Sequence, residues 1–371
     1  MKIKSRLLTL LCAVAVSLAA FSSCGVIKGD TVMEYEGYKI TETMYSYWLS
    51  KYKSLFLYSY NNGKDEESFW NSKTENGEQT YKDFVTSFVD DYAKQVLISM
   101  KLFDDYSLVF SQTVKDAVSD KIDGIKQAYG GVSYANEYLG SYGLNVKTLE
   151  SIYYAQEKFS AVCEYLFGEN GPYAVTDEEK SKYYEENYYC AEWIYIYTKE
   201  KPKLSENGEY ITDSNGEYVT EKLSEEEIAE KQALVDEIVE KLNGGEDFLT
   251  LKQEHSEEDL TKYEYLPDGV NVSANDYTVY GSGFIKAIMN CKIGNYTVFE
   301  DDFATFIIRR SELKSYSELS VQEKNVMLNF DTYVYDYKCE KFFNEINVNV
   351  YSDVVSRYDI SVIKALSNTN I

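Results

Sequence analysis

Residues 190–197 read Cys-Ala-Glu-Trp-Ile-Tyr-Ile-Tyr. β-Branched and aromatic residues without Gly or Pro predict a β-strand. Side chains alternate across a strand, so Ala191, Trp193, Tyr195 and Tyr197 share one face. Cys190, Glu192, Ile194 and Ile196 share the other. This stretch decides the fold, because the chain reads as helical before it and as mixed after it.

Upstream, residues 32–40 read as a short strand or hairpin turning at Gly37. Thr41 opens a helix on Met44, Trp48, Tyr52, Leu55 and Tyr58, which recur at helical spacing. Residues 61–80 are polar and read as a loop. Phe84, Phe88, Tyr92, Val96, Met100 and Phe103 form the apolar stripe of a long helix over 81–110. Further helices are predicted over 113–128, 134–139 and 146–166, and Pro172 marks a break. Thr176 and Glu179 form a capping box that starts a short helix leading into 190–197.

Downstream, residues 199–223 read as an inserted hairpin. It carries the near duplication GEYIT and GEYVT around the turn Ser214-Asn215-Gly216. Ser224 and Glu227 form a second capping box, opening an amphipathic helix that Gly244-Gly245 stops. Then come a short helix, a loop with Pro267 and Gly269, a helix near 284–290, and strands within 295–301 and 303–312. A helix over 320–347 and β-like stretches at 346–354 and 358–363 close the chain. The expected fold class is α+β. A mainly helical domain, 24–175, is completed by a C-terminal segment, 315–371, with an α+β domain inserted at 176–314.

The N-terminus has Lys2, Lys4 and Arg6 before an apolar run from Leu7 to Phe21. That run is short for a membrane span and suits a signal peptide. Phe21-Ser22-Ser23-Cys24 fits a bacterial lipobox, with cleavage leaving residue 24 at the new N-terminus and a lipid on the Cys24 sulfur. The alternative is an ordinary secretory signal cleaved near Ala20. The lipoprotein reading places the domain on the outer face of the cytoplasmic membrane, in a Gram-positive bacterium, held by its acyl chains.

The full chain carries a net charge of −25, and losing the three signal cations makes it −28. That disfavours nucleic acid and direct adhesion to anionic lipid. It suits solubility, and it suits basic or unfolded polypeptides as partners. Cys163, Cys190, Cys291 and Cys339 form no C-x-x-C, so neither a metal nor a redox cofactor is expected. They read mostly as buried free thiols, and their spacing assigns no pairing. The single histidine, His255, lies in a charged helix end and reads as a solvated surface residue. The 37 tyrosines supply amphipathic contact area for cores and binding surfaces alike.

Four segments taken in order resemble the parvulin-type peptidyl-prolyl isomerases, in particular the PrsA/SurA-like extracytoplasmic foldases. They are VTDEEKSKYYEENY, AEWIYI, LVDEIVEKLNGGEDFLTLKQEHSEE and FIKAIMNCKIGNYTVFEDDFATFIIRRSE. The motif-level match spans residues 176–314. The resemblance implies a SurA-like helical chaperone domain, unfolded exported polypeptides as partners, and a homodimer as one possible assembly. It also implies a pocket with two histidines, an Asp or Cys, and a Met–Phe grip. By register those histidine positions fall on Trp193 and Phe306, and the Asp/Cys position near Asn271. Phe284 is retained, with Tyr280 near the Met position and Met289 close by.

Prolyl isomerisation breaks no covalent bond, and its barrier of about 18–20 kcal/mol comes from amide resonance. A catalyst desolvates the amide, grips the ring and stabilises the twisted form. A grip on Phe284, Tyr280 and Met289 is compatible with this chain, whereas two imidazoles are not. The expectation is a foldase or chaperone of parvulin ancestry with doubtful isomerase activity. Two alternatives stand beside it: an active isomerase, and a lipoprotein that binds a solute or carbohydrate.

Overall fold

The structure, a computed structural model, describes residues 29–74, 79–205, 207, 208, 210–213, 218–258, 260, 269–327 and 329–367. The signal segment with Cys24, the turn Ser214-Asn215-Gly216 and Pro267 lie outside the described residues. The chain divides into two compact units, Met1–Val175 with Tyr335–Ile371, and Thr176–Val334.

The first unit opens with β1 (Thr31–Tyr35) and β2 (Tyr38–Thr41). Helices follow: α1 (Glu42–Tyr60), α2 (Glu66–Asn71), α3 (Tyr81–Asp105), α4 (Gln112–Ala128), α5 (Val132–Gly140) and α6 (Val146–Phe167). The second unit runs α7 (Asp177–Asn187), β3 (Tyr188–Ile196), β4 (Glu200–Pro202), β5 (Thr220–Lys222), α8 (Glu225–Asn243), α9 (Phe248–His255) and β6 (Val270–Ser273). It continues with α10 (Tyr277–Tyr280), α11 (Ser282–Asn290), β7 (Tyr296–Glu300), β8 (Thr305–Ser311) and α12 (Val321–Asn325). The division between the units falls inside α13 (Phe330–Asn344), so residues 315–334 belong to the second unit. Strand β9 (Asn349–Val350) and helix α14 (Ser352–Val355) belong to the first. The fold is α+β.

In the first unit β1 pairs antiparallel with both β2 and β9, giving the order β2-β1-β9. Helix α3 starts where the Thr80 hydroxyl accepts from Asp83 N at 3.1 Å. It buries Val85, Val89, Ala93 and Val96 against Trp48 of α1 and Leu149 and Ile152 of α6. The C-terminal residues Ile360 and Leu366 join the same core. Residues 66–71 are helical, not loop. Asp65 caps them by accepting from Ser68 N at 2.9 Å, and Phe69 and Trp70 are buried. The predicted helix over 320–347 is two helices, α12 and α13. The β-like ends reduce to β9, since residues 352–355 are helical and 358–363 form turns.

The second unit has a four-stranded antiparallel sheet in the order β6-β3-β8-β7. The two faces of β3 separate as the alternation requires. Ala191 and Trp193 pack with Val270, Val272, Ile308 and α11. Ile194 and Ile196 pack with Ile307 and with Val235, Ile238, Phe248 and Leu251 of α8 and α9. Both capping boxes form, at Thr176–Glu179 and Ser224–Glu227. Strands β4 and β5 pair to build the base of the inserted hairpin. Among the described residues, no helix is long and apolar enough to cross a membrane.

Candidate functional site

Trp193 lies in register with Ile308, and Tyr195 with Phe306, on adjacent strands β3 and β8. The Trp193 ring meets Phe284 edge-on at 5.5 Å and Tyr280 at 6.2 Å. Phe284 stacks on Tyr280 at 5.6 Å and meets Phe306 edge-on, also at 5.6 Å. Trp193 is 5% exposed and Phe284 2%. The indole N–H donates to Glu258 Oε2 at 3.0 Å, and Lys252 Nζ sits 5.6 Å from the ring centroid.

Four of the residues singled out from the sequence therefore meet in one aromatic cluster: Trp193, Tyr280, Phe284 and Phe306. Two do not. Asn271 is buried in register with Cys190, on the strand face opposite Val270 and Val272. Met289 is 39% exposed on α11, outside the cluster. Burial pushes the Tyr195 phenol upward, and burial first, then nearby Tyr210 and Glu257, brings Tyr197 up to about 12. Both stay protonated at neutral pH. His255 ends α9, half-buried rather than fully solvated. The cluster offers an apolar, aromatic surface and no imidazole.

On the opposite face Arg309 Nη2 donates to Glu192 Oε1 at 3.0 Å and Oε2 at 2.8 Å. Ser311 Oγ adds a third bond to Glu192 at 3.0 Å. The guanidinium lies 4.6 Å from the Phe248 ring centroid. This arrangement clamps β3 to β8 beneath α9, and its role is structural.

The first unit carries a cleft of about 660 Å³ between α3, α6 and α13. Its apolar wall includes Phe84, Phe88, Phe159 and Tyr335, and its acidic edge Asp91 and Asp336. Phe84 is 36% exposed and Phe88 40%. Both were expected on the core stripe of this helix. The buried stripe runs instead through Val85, Val89 and Ala93, one position round, and meets the expected one at Val96 and Phe103. Burial pushes the carboxyls of Asp91 and Asp336 above the usual carboxylate range. A cleft of this size, walled by rings and edged by carboxylates, accepts apolar and basic side chains. Sequence reasoning missed it. The available signal was the doubled stripe of α3, aromatic at 84, 88 and 92 and aliphatic at 85, 89 and 96. One-sided packing buries only one of the two.

Among the described residues no cluster of His, Cys, Asp and Glu could hold a metal ion.

No family model matches the chain, and no curated protein matches it. Solved structures do. One is PrsA from Bacillus subtilis, 14% identical over 79% of this chain and 90% of that one, TM-score 0.24. Another is the peptidylprolyl isomerase PrsA from Bacillus cereus, 17% identical over 81% and 94%, TM-score 0.29. A third is the foldase protein PrsA from Streptococcus pneumoniae, 16% identical over 76% and 94%, TM-score 0.23.

Proposed function

We propose that this chain is an extracytoplasmic foldase of parvulin ancestry that holds unfolded segments of exported proteins and does not catalyse prolyl isomerisation. In this reading Cys24 carries the lipid that holds it at the outer face of the cytoplasmic membrane. The observation that carries the proposal is the ring-walled, acidic-edged cleft of the first unit. Extended segments of unfolded proteins present the aromatic, aliphatic and basic side chains that such a cleft takes. The charge of −28 that remains after loss of Lys2, Lys4 and Arg6 favours encounter with basic segments and discourages self-association. The ancestry rests on the ordered motifs of residues 176–314.

The aromatic cluster supports the part of the proposal that denies isomerisation. Gripping a proline ring requires a bare face of Phe284. That ring already has Trp193, Tyr280 and Phe306 as neighbours. Polarising a twisted amide requires ordered polar groups free to meet it; Phe306 has none, and the Trp193 indole N–H is given to Glu258.

Two assays on the full chain test this. One measures binding of an extended peptide carrying Phe, Leu and Lys, in wild type and in a Phe84→Ser/Phe88→Ser variant. At least tenfold weaker binding in the variant is expected, from losing two apolar contacts of about 1–2 kcal/mol each. Equal binding overturns the cleft assignment. The other measures proline-limited refolding, where no acceleration is expected. Acceleration that Phe284→Ala abolishes would make the chain an isomerase with an imidazole-free pocket.

A further inference from the structure

Helices α6 and α13 pack antiparallel through matched rungs. Phe159 meets Phe343 at 5.7 Å, and Phe167 meets Tyr335 at 6.2 Å. Cys163 lies four residues from each of Phe159 and Phe167, and Cys339 four residues from each of Tyr335 and Phe343. One helical turn is about four residues, so the two cysteines form the rung between the two ring pairs. Both belong to one apolar cluster with Val162, Leu166 and Phe343, and both line the cleft.

We propose that Cys163 and Cys339 are a dithiol pair that closes to a disulfide on meeting a glutathione-type or protein disulfide. The flanking ring pairs fix the register that brings the sulfurs together, and the cleft admits the oxidant. The other two buried thiols are placed differently. The Cys291 thiol donates to the Asn295 carbonyl at 3.3 Å, and the Cys190 sulfur packs against Gly269.

The neighbouring Cys339 sulfur first, then burial, pushes the Cys163 thiol up. The exchange runs in two steps, alike whichever cysteine attacks first, here Cys339. Its thiolate displaces one glutathione thiolate from oxidised glutathione, and a Cys339–glutathione disulfide forms as the glutathione disulfide breaks. Cys163 then attacks the Cys339 sulfur, loses its proton and displaces the second glutathione. Two electrons pass from the protein sulfurs to the two glutathiones, which leave carrying the two thiol protons. The exchange needs neither client nor proline, so its outcome is independent of the foldase reading.

The test treats the purified, reduced full chain with oxidised glutathione, quenches with acid, and maps tryptic peptides by mass. A linked Cys163–Cys339 peptide in most molecules is expected, with Cys190 and Cys291 remaining free thiols. Cys163→Ser should trap glutathione on Cys339, and Cys339→Ser should trap it on Cys163, with no intramolecular link in either. The oxidised wild type should melt higher than the reduced form, since the link closes a loop containing the whole second unit. Free thiols at both positions, persistent glutathione on both, or links to Cys190 or Cys291 would each overturn the pairing. Should a variant fail to fold, the wild-type peptide map and the melting comparison decide alone.

Discussion

An indole where an imidazole is expected changes both size and chemistry, because tryptophan donates one hydrogen bond and accepts none. Trp193 gives that bond to Glu258 and its ring edge and faces to Phe284, Tyr280 and Lys252. Phe284 is then a core residue, and Phe284→Ala should destabilise the second unit by about 3–5 kcal/mol, the cost of a buried ring and the cavity it leaves. Chemical denaturation of the full chain, with the second-unit transition followed by hydrogen exchange, measures it. A loss under about 1 kcal/mol would mean that Phe284 lines an open pocket. Strand alternation alone was enough to set Trp193 and Tyr195 on one face. It failed for Asn271, because a residue has a face only once its strand is known, and β6 was read as loop.

Strand β6 is short and half polar, Val-Asn-Val-Ser, yet all four residues are buried. Nothing local marks it as a strand, and its pairing partner lies about eighty residues away in β3. What places it is Gly269, with a φ of 107°, where an added Cβ would lie 2.8 Å from both the Ala191 carbonyl oxygen and Glu192 Cγ. Only glycine combines that dihedral with that approach. Gly269→Ala should therefore cost more than about 1 kcal/mol and strip amide protection from residues 270–273. An unchanged melting temperature with intact protection would show that β6 is not held by this contact. The helices were more legible than the strands because their signals are local. The boxes at Thr176 and Ser224 need only residues three apart. Glu227 adds a longer-range bond: the Lys201 hydrogen bond first, then those from Ser224, bring its carboxyl down to about 2.

At the scale of the molecule, the helical–mixed–helical order and the acidity could be read from the sequence. The cleft could not, because α3 meets α13 only through a chain reversal of more than two hundred residues. Its acidic edge sets a pH signature that separates binding from folding. Burial raises Asp91 and Asp336, so both become neutral on acidification before an ordinary carboxylate does. Affinity for a basic peptide should fall as pH drops from neutral toward the ordinary carboxylate value near 4, and high salt should weaken it at neutral pH. Folding should respond in the opposite sense. A carboxyl whose folded pKa is raised contributes stability that is fully present below its unfolded pKa and is lost as pH rises through the folded one. In that window acidification should leave the first unit as stable or more stable while binding weakens. Depressed groups such as Asp359 act lower. There burial is outweighed by the hydrogen bonds from Lys82 and Ser361, which bring the carboxyl down to about 2, and stability is lost only as pH falls toward that value. Calorimetric titrations of a Lys-containing peptide and of its neutral Gln counterpart between pH 7 and pH 4.5, each with a melting curve, separate the two effects. Weaker binding of the Lys peptide alone, with no fall in melting temperature and a flat response in an Asp91→Asn/Asp336→Asn double variant, is the expected result. Parallel loss of both peptides together with melting temperature would mean that acid unfolds the unit and that these carboxylates contribute nothing to recognition.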